Sequence, residues 1–363
     1  MSLELWTLVI GIVTAMSCAL CGCLLLVNGK ALVSEGLSHA VLPGLAVAFW
    51  YLGDYNSPLL IVSAAASGLF MVWCTELLQR TGLLDSDAAL GLVFAGMFSL
   101  GILFISNFLK QTHFHADCIL DGNLAIAALD RFEIAGWDLG PFSWVVMLAI
   151  LIAQLLFILV CYKELKVALF DPELGNRFGL RPQMFQLGWL TIVSLTTVAA
   201  FNVAGSVLIV GLMIAPPAAA YLVTNRLHTF LVVSVGVGIV SAITGFYGAL
   251  SLDVAPTGPI ASAAGLVFLF ILLFSPRNGL LANRWLLWRR NRESLDCLVL
   301  QWIEDGVKLD PFLMPGKLGR RSSWDLALKR LLNDSLVEKH ADGYRLTFPG
   351  RKKLAAMIDQ LQS

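Results

Sequence analysis

The feature that most limits what this chain can become is a succession of apolar stretches, each about as long as a bilayer is thick. A helix needs about 20 apolar residues to cross the hydrocarbon core. The candidate spans are Leu5–Val27, Ala40–Leu52, Leu59–Leu78, Ala88–Asn107, Phe142–Tyr162, Leu187–Val203, Val207–Thr224, Phe230–Leu250 and Ile260–Phe274. The second is short and holds Pro43 and Gly44. The sixth and seventh are separated only by Ala204–Gly205–Ser206, so a tight turn is expected there, or one of the two is a partial span. Composition agrees: 58% of the residues are hydrophobic and 14% charged, and the mean hydropathy is +0.78. A soluble globular chain is about half apolar and about a quarter charged. The expected fold is an all-α polytopic membrane protein with about nine transmembrane helices. The first stretch is too long for the core of a signal peptide and has no basic flank, so it reads as a retained span.

Basic residues in the short loops set the orientation. Alternate loops carry Lys30, then Arg80, then Lys163, Lys166, Arg177 and Arg181, then Arg226; the opposite set carries only Lys110 and Arg131. Seven against two places the N-terminus outside and the C-terminus in the cytoplasm. The Lys110–Gly140 loop is then external. Five of the seven cysteines (Cys18, Cys21, Cys23, Cys74 and Cys161) lie in apolar runs, which excludes a disulfide framework.

Three segments carry chemistry. In the first, Gly29 to Gly44, Glu35 and His39 are four apart and share one face if the segment is helical. A carboxylate with an imidazole suits Mn, Fe or Zn alike. Ionisable groups near membrane depth usually face a cavity or pathway; the plainer alternative is a Glu35 that caps the next helix and a solvated His39. In the second, Asp171 can cap a short helix, Pro172 suits its first position and Gly179 is a natural stop. That helix would present Glu173, Asn176 and Arg177 to the cytosol, either as a bare surface or as a docking element for a motor subunit. In the third, Val207–Val223, the pair Pro216–Pro217 removes two backbone donors and kinks or unwinds the span. Broken helices mark transport sites in several transporter folds, although a kink among alanines can also serve packing.

Taken together and in this order, the run Ser-Glu-Gly-Leu-Ser-His-Ala-Val-Leu-Pro-Gly, the Phe-Asp-Pro-Glu loop ending at Gly179, and the run Leu-Ile-Val-Gly-Leu-Met-Ile-Ala-Pro-Pro-Ala resemble the manganese/zinc/iron ABC-transporter permease family over roughly residues 5–276. The resemblance implies a membrane subunit working as a homo- or heterodimer with a second permease subunit. It also implies two cytoplasmic ABC ATPase subunits and an extracytoplasmic metal-binding protein that delivers the ion. Glu35 and His39 would match the acidic-plus-histidine pair that lines the ion path, and Asp171 to Gly179 the helix that couples to the ATPase. The location would be the bacterial inner membrane, with a divalent metal ion as transported substrate and no permanently bound cofactor. The chain itself has no Gly-x-x-x-x-Gly-Lys-Ser/Thr stretch and should not bind ATP. It is read as a transport subunit rather than an enzyme.

Two smaller clusters stand beside these. His113, His115 and Asp117, with Cys118, lie in the external loop as a candidate site of transient metal acceptance, or as ordinary polar loop residues. Cys18, Cys21 and Cys23 in the first span invite a thiolate reading, yet buried thiols behave mostly as small hydrophobes.

The chain divides into a permease domain at 1–276, a basic juxtamembrane linker at 277–292 and a cytoplasmic domain at 293–363. From residue 276 onward there are 16 Lys and Arg against 10 Asp and Glu, so this end is the basic one. Leu295, Leu298, Val299, Trp302 and Ile303 are spaced for an amphipathic helix. Ser322 can cap a second helix; Leu336 to Thr347 reads as two strands about an Asp-Gly turn, and a last helix covers Gly350–Leu361. Helix, helix, hairpin, helix resembles a winged-helix domain, a tail that most plain members of the permease family lack. Its basic residues, among them Arg320, Arg321, Lys339, Arg345 and Arg351 to Lys353, could meet nucleic-acid phosphates, anionic lipid or a protein. Two other functions compete with an ATP-driven importer: a proton-coupled secondary metal carrier, and a membrane-tethered regulator acting through the tail. The Asp171–Gly179 helix argues against the carrier, which has no motor to dock. Nine spans with an ionisable interior exceed what an anchor needs.

Overall fold

The computed structural model describes residues 3–53, 58–108, 124–129, 131–134, 137–275, 279–281, 295–304, 321–340 and 343–362. They form two compact units, Met1–Ser275 and Pro276–Ser363. His113, His115, Asp117 and Cys118 lie outside the described residues.

The first unit is built from α1 (Leu3–Val27), α2 (Val33–Leu52), α3 (Pro58–Arg80), α4 (Ser86–Phe108), the short α5 (Leu124–Ala127), a hairpin of β1 (Arg131–Ile134) and β2 (Trp137–Pro141), α6 (Phe142–Val160), α7 (Tyr162–Phe170), α8 (Pro172–Arg177), α9 (Pro182–Val223), α10 (Leu227–Leu252) and α11 (Thr257–Phe274). The strands pair antiparallel, with Ile134 opposite Trp137 and an irregularity between Arg131 and Glu133. The sequence pattern predicts no hairpin in the Lys110–Gly140 loop. Its trace in the sequence is the alternation Arg-Phe-Glu-Ile, then Ala-Gly, then Trp-Asp-Leu-Gly.

Among the described residues, seven helices are long and apolar enough to cross a bilayer. Against the nine expected spans, two differences account for the gap. α2 is absent from that set, because Ser34, Glu35, Ser38 and His39 dilute its apolar content. α9 is counted once, although a straight helix of its 42 residues would be about 60 Å long, twice the hydrocarbon thickness. It is not straight. Gly205 leaves helical geometry at φ 75°, ψ 166°, and Thr197 Oγ1 lies 3.9 Å from Met213 Sδ. Residues 16 apart can meet only if the chain reverses between them, so α9 is two antiparallel helices joined at the glycine, where the tight turn was expected.

α1 is the axis of the bundle. Of its apolar window 78% is buried, against 11% for α11 and 22% for α4, and it packs on α9, α10, α6 and α2. Lipid tails are as apolar as leucine, so helices in a membrane gain most from close backbone approach and from hydrogen bonds between them. Both occur here. Gln154 of α6 donates to Thr196 Oγ1 of α9 at 2.7 Å and to Cys21 Sγ of α1 at 3.3 Å. Ser234 of α10 donates to the Ala19 carbonyl of α1. Gly22 of α1 lies so close to the Met213 carbonyl and Pro217 that any side-chain carbon there would overlap them. Cys18, Cys21 and Cys23 are buried and unbonded to one another, consistent with packing.

At the other end of α1, Trp6 meets Trp144 of α6 edge to face, with ring centroids 6.1 Å apart, and lies against Gly140 (φ 92°) of β2. The starts of α1 and α6 are therefore at one end of the bundle.

The second unit comprises α12 (residues 295–304), α13 (Arg321–Asn333), an antiparallel hairpin of β3 (Val337–His340) and β4 (Gly343–Leu346), and α14 (Phe348–Gln362). Cys297, Leu300, Ala327, Leu331, Val337 and Leu354 meet in its core, and Arg330 pairs with Asp296 at 3.4 Å. α13 begins at Arg321, which puts Ser322 inside the first turn rather than at the cap. α14 begins two residues before Gly350, behind a Thr347 hydroxyl that accepts from the Gly350 N–H.

The Gly22 contact yields a test. Gly22→Ala should lower the stability of the detergent-solubilised protein by about 1–3 kcal/mol, read as a drop in thermal midpoint. Gly265→Ala on α11, where an added carbon meets nothing within 4 Å, should leave the midpoint unchanged or raised.

Candidate functional site

α2 begins earlier than the span Ala40–Leu52, at Val33, so Glu35 and His39 lie inside the helix rather than in a loop ahead of it. They fall one turn apart on a common face. Glu35 is exposed and His39 half-buried. The helix cap is Leu32, without a side-chain cap bond, so the reading of Glu35 as a cap has no bond to support it. The His39 ring stacks on Phe94 of α4 at 5.8 Å and meets Phe98 edge-on at 5.2 Å, and its buried Nδ1 has no hydrogen-bond partner. A buried ring nitrogen left unpaired is costly.

The surroundings hold α2 tightly. Ser67 of α3 donates to the Ala40 carbonyl, and Gly101 of α4 lies against Pro43. Pro43 has no N–H to give, so the His39 carbonyl four residues back loses its helical partner. Imidazole, carboxylate and a weakened carbonyl bond thus occur within one turn. Among the described residues no group of three or more His, Cys, Asp or Glu could hold a metal ion, so the Glu35–His39 pair has no third such side chain beside it.

Pro216 and Pro217 sit within helical backbone; the one departure from helical dihedrals in α9 is Gly205. The prolines deprive Leu212 and Met213 carbonyls of their partners, but both residues are buried, and the Met213 carbonyl faces Gly22 rather than open space. Of the kink or unwinding expected at the prolines, the helical dihedrals leave no unwinding, and Gly22 lies against the Met213 carbonyl that they free.

α8 matches the expected short helix from cap to stop. Asp171 accepts from the Leu174 N–H at 2.9 Å, Pro172 occupies the first turn, and Gly179 (φ 76°) follows, with the Leu180 N–H returning to the Gly175 carbonyl at 3.0 Å. Gly175 is buried against Pro182 and Val167, which fixes α8 on its neighbours. Glu173, Asn176 and Arg177 are exposed. So are Phe170 (61%) at the end of α7, Leu174 (43%) within α8 and Phe178 (75%) just after it. Their signal in the sequence is a set of large apolar residues in and beside a helix too short to bury them.

A chain with an apolar bundle, a carboxylate–imidazole pair in a membrane-length helix of reduced apolarity and a short exposed helix flanked by apolar side chains can be set beside known proteins. The profile of the ABC 3 transport family matches residues 2–275. The chain belongs to that family. The manganese transport system membrane protein MntD of Bacillus subtilis is 34% identical over 284 residues, covering 78% of this chain and 96% of that protein. The zinc transport system membrane protein TroD of Treponema pallidum is 37% identical over 291 residues, covering 80% and 79%. Among solved structures, PsaBC from Streptococcus pneumoniae in complex with Fab aligns with a TM-score of 0.63 at 25% identity, over 77% of this chain and 94% of that one. This member of the ABC 3 transport family is a multi-pass membrane transport subunit and not an enzyme.

The Gly179 geometry carries its own prediction. An added carbon there meets no atom within 4 Å, so a substitution acts through the left-handed backbone and not by filling the turn. Gly179→Ala should cost about 1–2 kcal/mol and speed amide exchange across residues 172–180. Gly179→Asn, which tolerates that conformation, should cost less.

Proposed function

We propose that this chain is the membrane subunit of an ATP-driven importer for a divalent transition metal ion, Mn, Zn or Fe, powered by separate ATPase subunits. The observation that carries it is the Glu35–His39 pair, a hard oxygen and a borderline nitrogen on one face of a membrane helix, with His39 Nδ1 unpartnered. Two ligands hold an ion weakly, and a pathway needs weak holding, because an ion bound too tightly would not leave. The names of the relatives, manganese and zinc transport membrane proteins, agree with this cargo. The metal is substrate; nothing resident is required.

α8 supports the ATP-driven reading over a proton-coupled carrier. Exposed Phe170, Leu174 and Phe178 among Glu173, Asn176 and Arg177 suit insertion into a cleft of a cytoplasmic ATPase. Asp171, Pro172, Glu173 and Gly179 are the residues assigned to coupling, while Pro216 and Pro217 pack and line no break. A second permease subunit and an extracytoplasmic metal-binding protein complete the assembly. His113, His115 and Asp117 remain the candidates for accepting the ion outside.

The topology proposed is nine crossings, N-terminus outside and C-terminus inside. The reversal at Gly205 supports two crossings within α9. The Trp6–Gly140 and Trp6–Trp144 contacts support a crossing by α2, since the starts of α1 and α6 share an end only if an even number of crossings lies between them. The tail is read as a winged-helix-like cytoplasmic domain after a basic linker at 277–292, on the strength of its helix, helix, hairpin, helix order. Labelling of introduced cysteines in intact cells checks the orientation: residues near 205 should react from outside and residue 363 should not. A tail labelled from outside overturns it.

Glu35→Ala and His39→Ala should each lower the initial rate of metal uptake about tenfold or more in reconstituted complexes, equivalent to about 1.4 kcal/mol or more of barrier. The complex should still assemble, and saturating delivery protein should not restore the rate. Wild-type rates in both variants would remove the pair from the path.

A further inference from the structure

The second unit has a surface that the transport reading does not use. At the start of α14, Phe348 is 85% exposed, and Arg351, Lys352 and Lys353 are all exposed. Gly350, Leu354 and Met357 face the core, so Phe348 and Lys352, four apart, point away from it with Arg351 beside them. Arg351 closes the first turn of α14, where the positive end of the helix dipole disfavours a cation, and Lys352 and Lys353 follow it directly. Nothing in α14 offsets them: the residues three and four places away from each are Phe348, Pro349, Gly350, Thr347, Leu354, Ala355, Ala356 and Met357, none of them acidic. Among the described residues no ion pair involves any of the three. Such a face is unfavourable for the fold alone and favourable for an anion outside it.

We propose that this face of α14 docks on the anionic lipid head groups of the membrane in which the first unit is embedded, with Phe348 as the apolar wedge and Arg351, Lys352 and Lys353 as the charges. The occupant follows from the tether and from the charge. Only residues 275–294 separate the last membrane helix from α12, and 277–292 hold five Arg and no acid. The unit is thereby held at high effective concentration beside a surface of opposite charge. An exposed phenylalanine next to cations fits the boundary between head groups and acyl chains. Nucleic acid is the weaker candidate. The second helix and wing of a winged-helix-like unit would carry that contact, whereas Lys329 is the one exposed cation of α13 within Ala327–Asn333, and Arg345 on the wing stands opposite Glu338.

The test uses the full chain in nanodiscs. Acetylation rates of Lys352 and Lys353 by an uncharged reagent are read by mass spectrometry, with exposed Lys329 of α13 as the reference within the same unit. In discs rich in phosphatidylglycerol the two lysines should react about fivefold or more slowly than in phosphatidylcholine discs, fivefold being the partition expected of one basic residue at an anionic surface. Salt of about 1 M, where the screening length is about 3 Å, should abolish the difference. Phe348→Ser, at an exposed position that leaves the core intact, should reduce it. Equal rates in the two lipids overturn the proposal. So does equal slowing of Lys329, which would be general shielding, and so does protection in phosphatidylcholine discs by an added DNA duplex matching that given by the anionic lipid.

Discussion

A backbone carbonyl inside hydrocarbon has no water to turn to, and the arrangement of this bundle depends on how that constraint is met. Three prolines in the described helices of the first unit, Pro43, Pro216 and Pro217, each remove the donor that a carbonyl one turn back would have used. In α9 the freed Met213 carbonyl is brought against Gly22 of α1, where the absence of a side chain lets the two backbones touch. In α2 the segment beside Pro43 is braced by Ser67, which donates to Ala40, and by Gly101. Helices that must approach so closely can cross only where a small residue permits it, so glycine positions fix the crossings.

From those crossings follows the place of each element. α1 is central because α9 and α10 both close on its backbone and because Gln154 ties it through Cys21 to α6 and α9. α2 is thereby held between α3 and α4, with His39 in a slot between Phe94 and Phe98. The imidazole is positioned by aromatic packing, and its buried Nδ1 has no hydrogen-bond partner.

Much of this was legible in the sequence, for reasons that differ from residue to residue. The capped helix Asp171–Gly179 could be read whole, because cap, proline and left-handed glycine act locally. The reversal at Gly205 was visible for another reason: two long apolar runs cannot share one straight helix across a bilayer. The true start of α2 at Val33 was not visible, since polar residues at membrane depth look like loop until the neighbours that enclose them are known. Pro216–Pro217 misled in the other direction. The pair signals lost donors, but whether the helix opens depends on Gly22, nearly two hundred residues earlier in the chain. The hairpin of β1 and β2 was missed because strands of four and five residues are too short for alternation to be convincing.

The helix that fits a membrane least well is also the one that carries the proposed ion path, and the two facts have one cause. Every polar group in α2 subtracts from the gain of leaving water, which is why this 20-residue helix falls outside the set that apolarity alone would select. Ser34 and Ser38 offset their own cost by donating to carbonyls one turn back, at Ala31 and Ser34. Glu35 and His39 have no such local partner. Packing alone would be served as well by two leucines, which would remove an exposed carboxylate and an unpaired ring nitrogen at once. A position where the fold gains no more from the residue it holds than it would from leucine is where a requirement other than folding is acting, and an oxygen beside a nitrogen on one helical face is what a divalent metal ion requires.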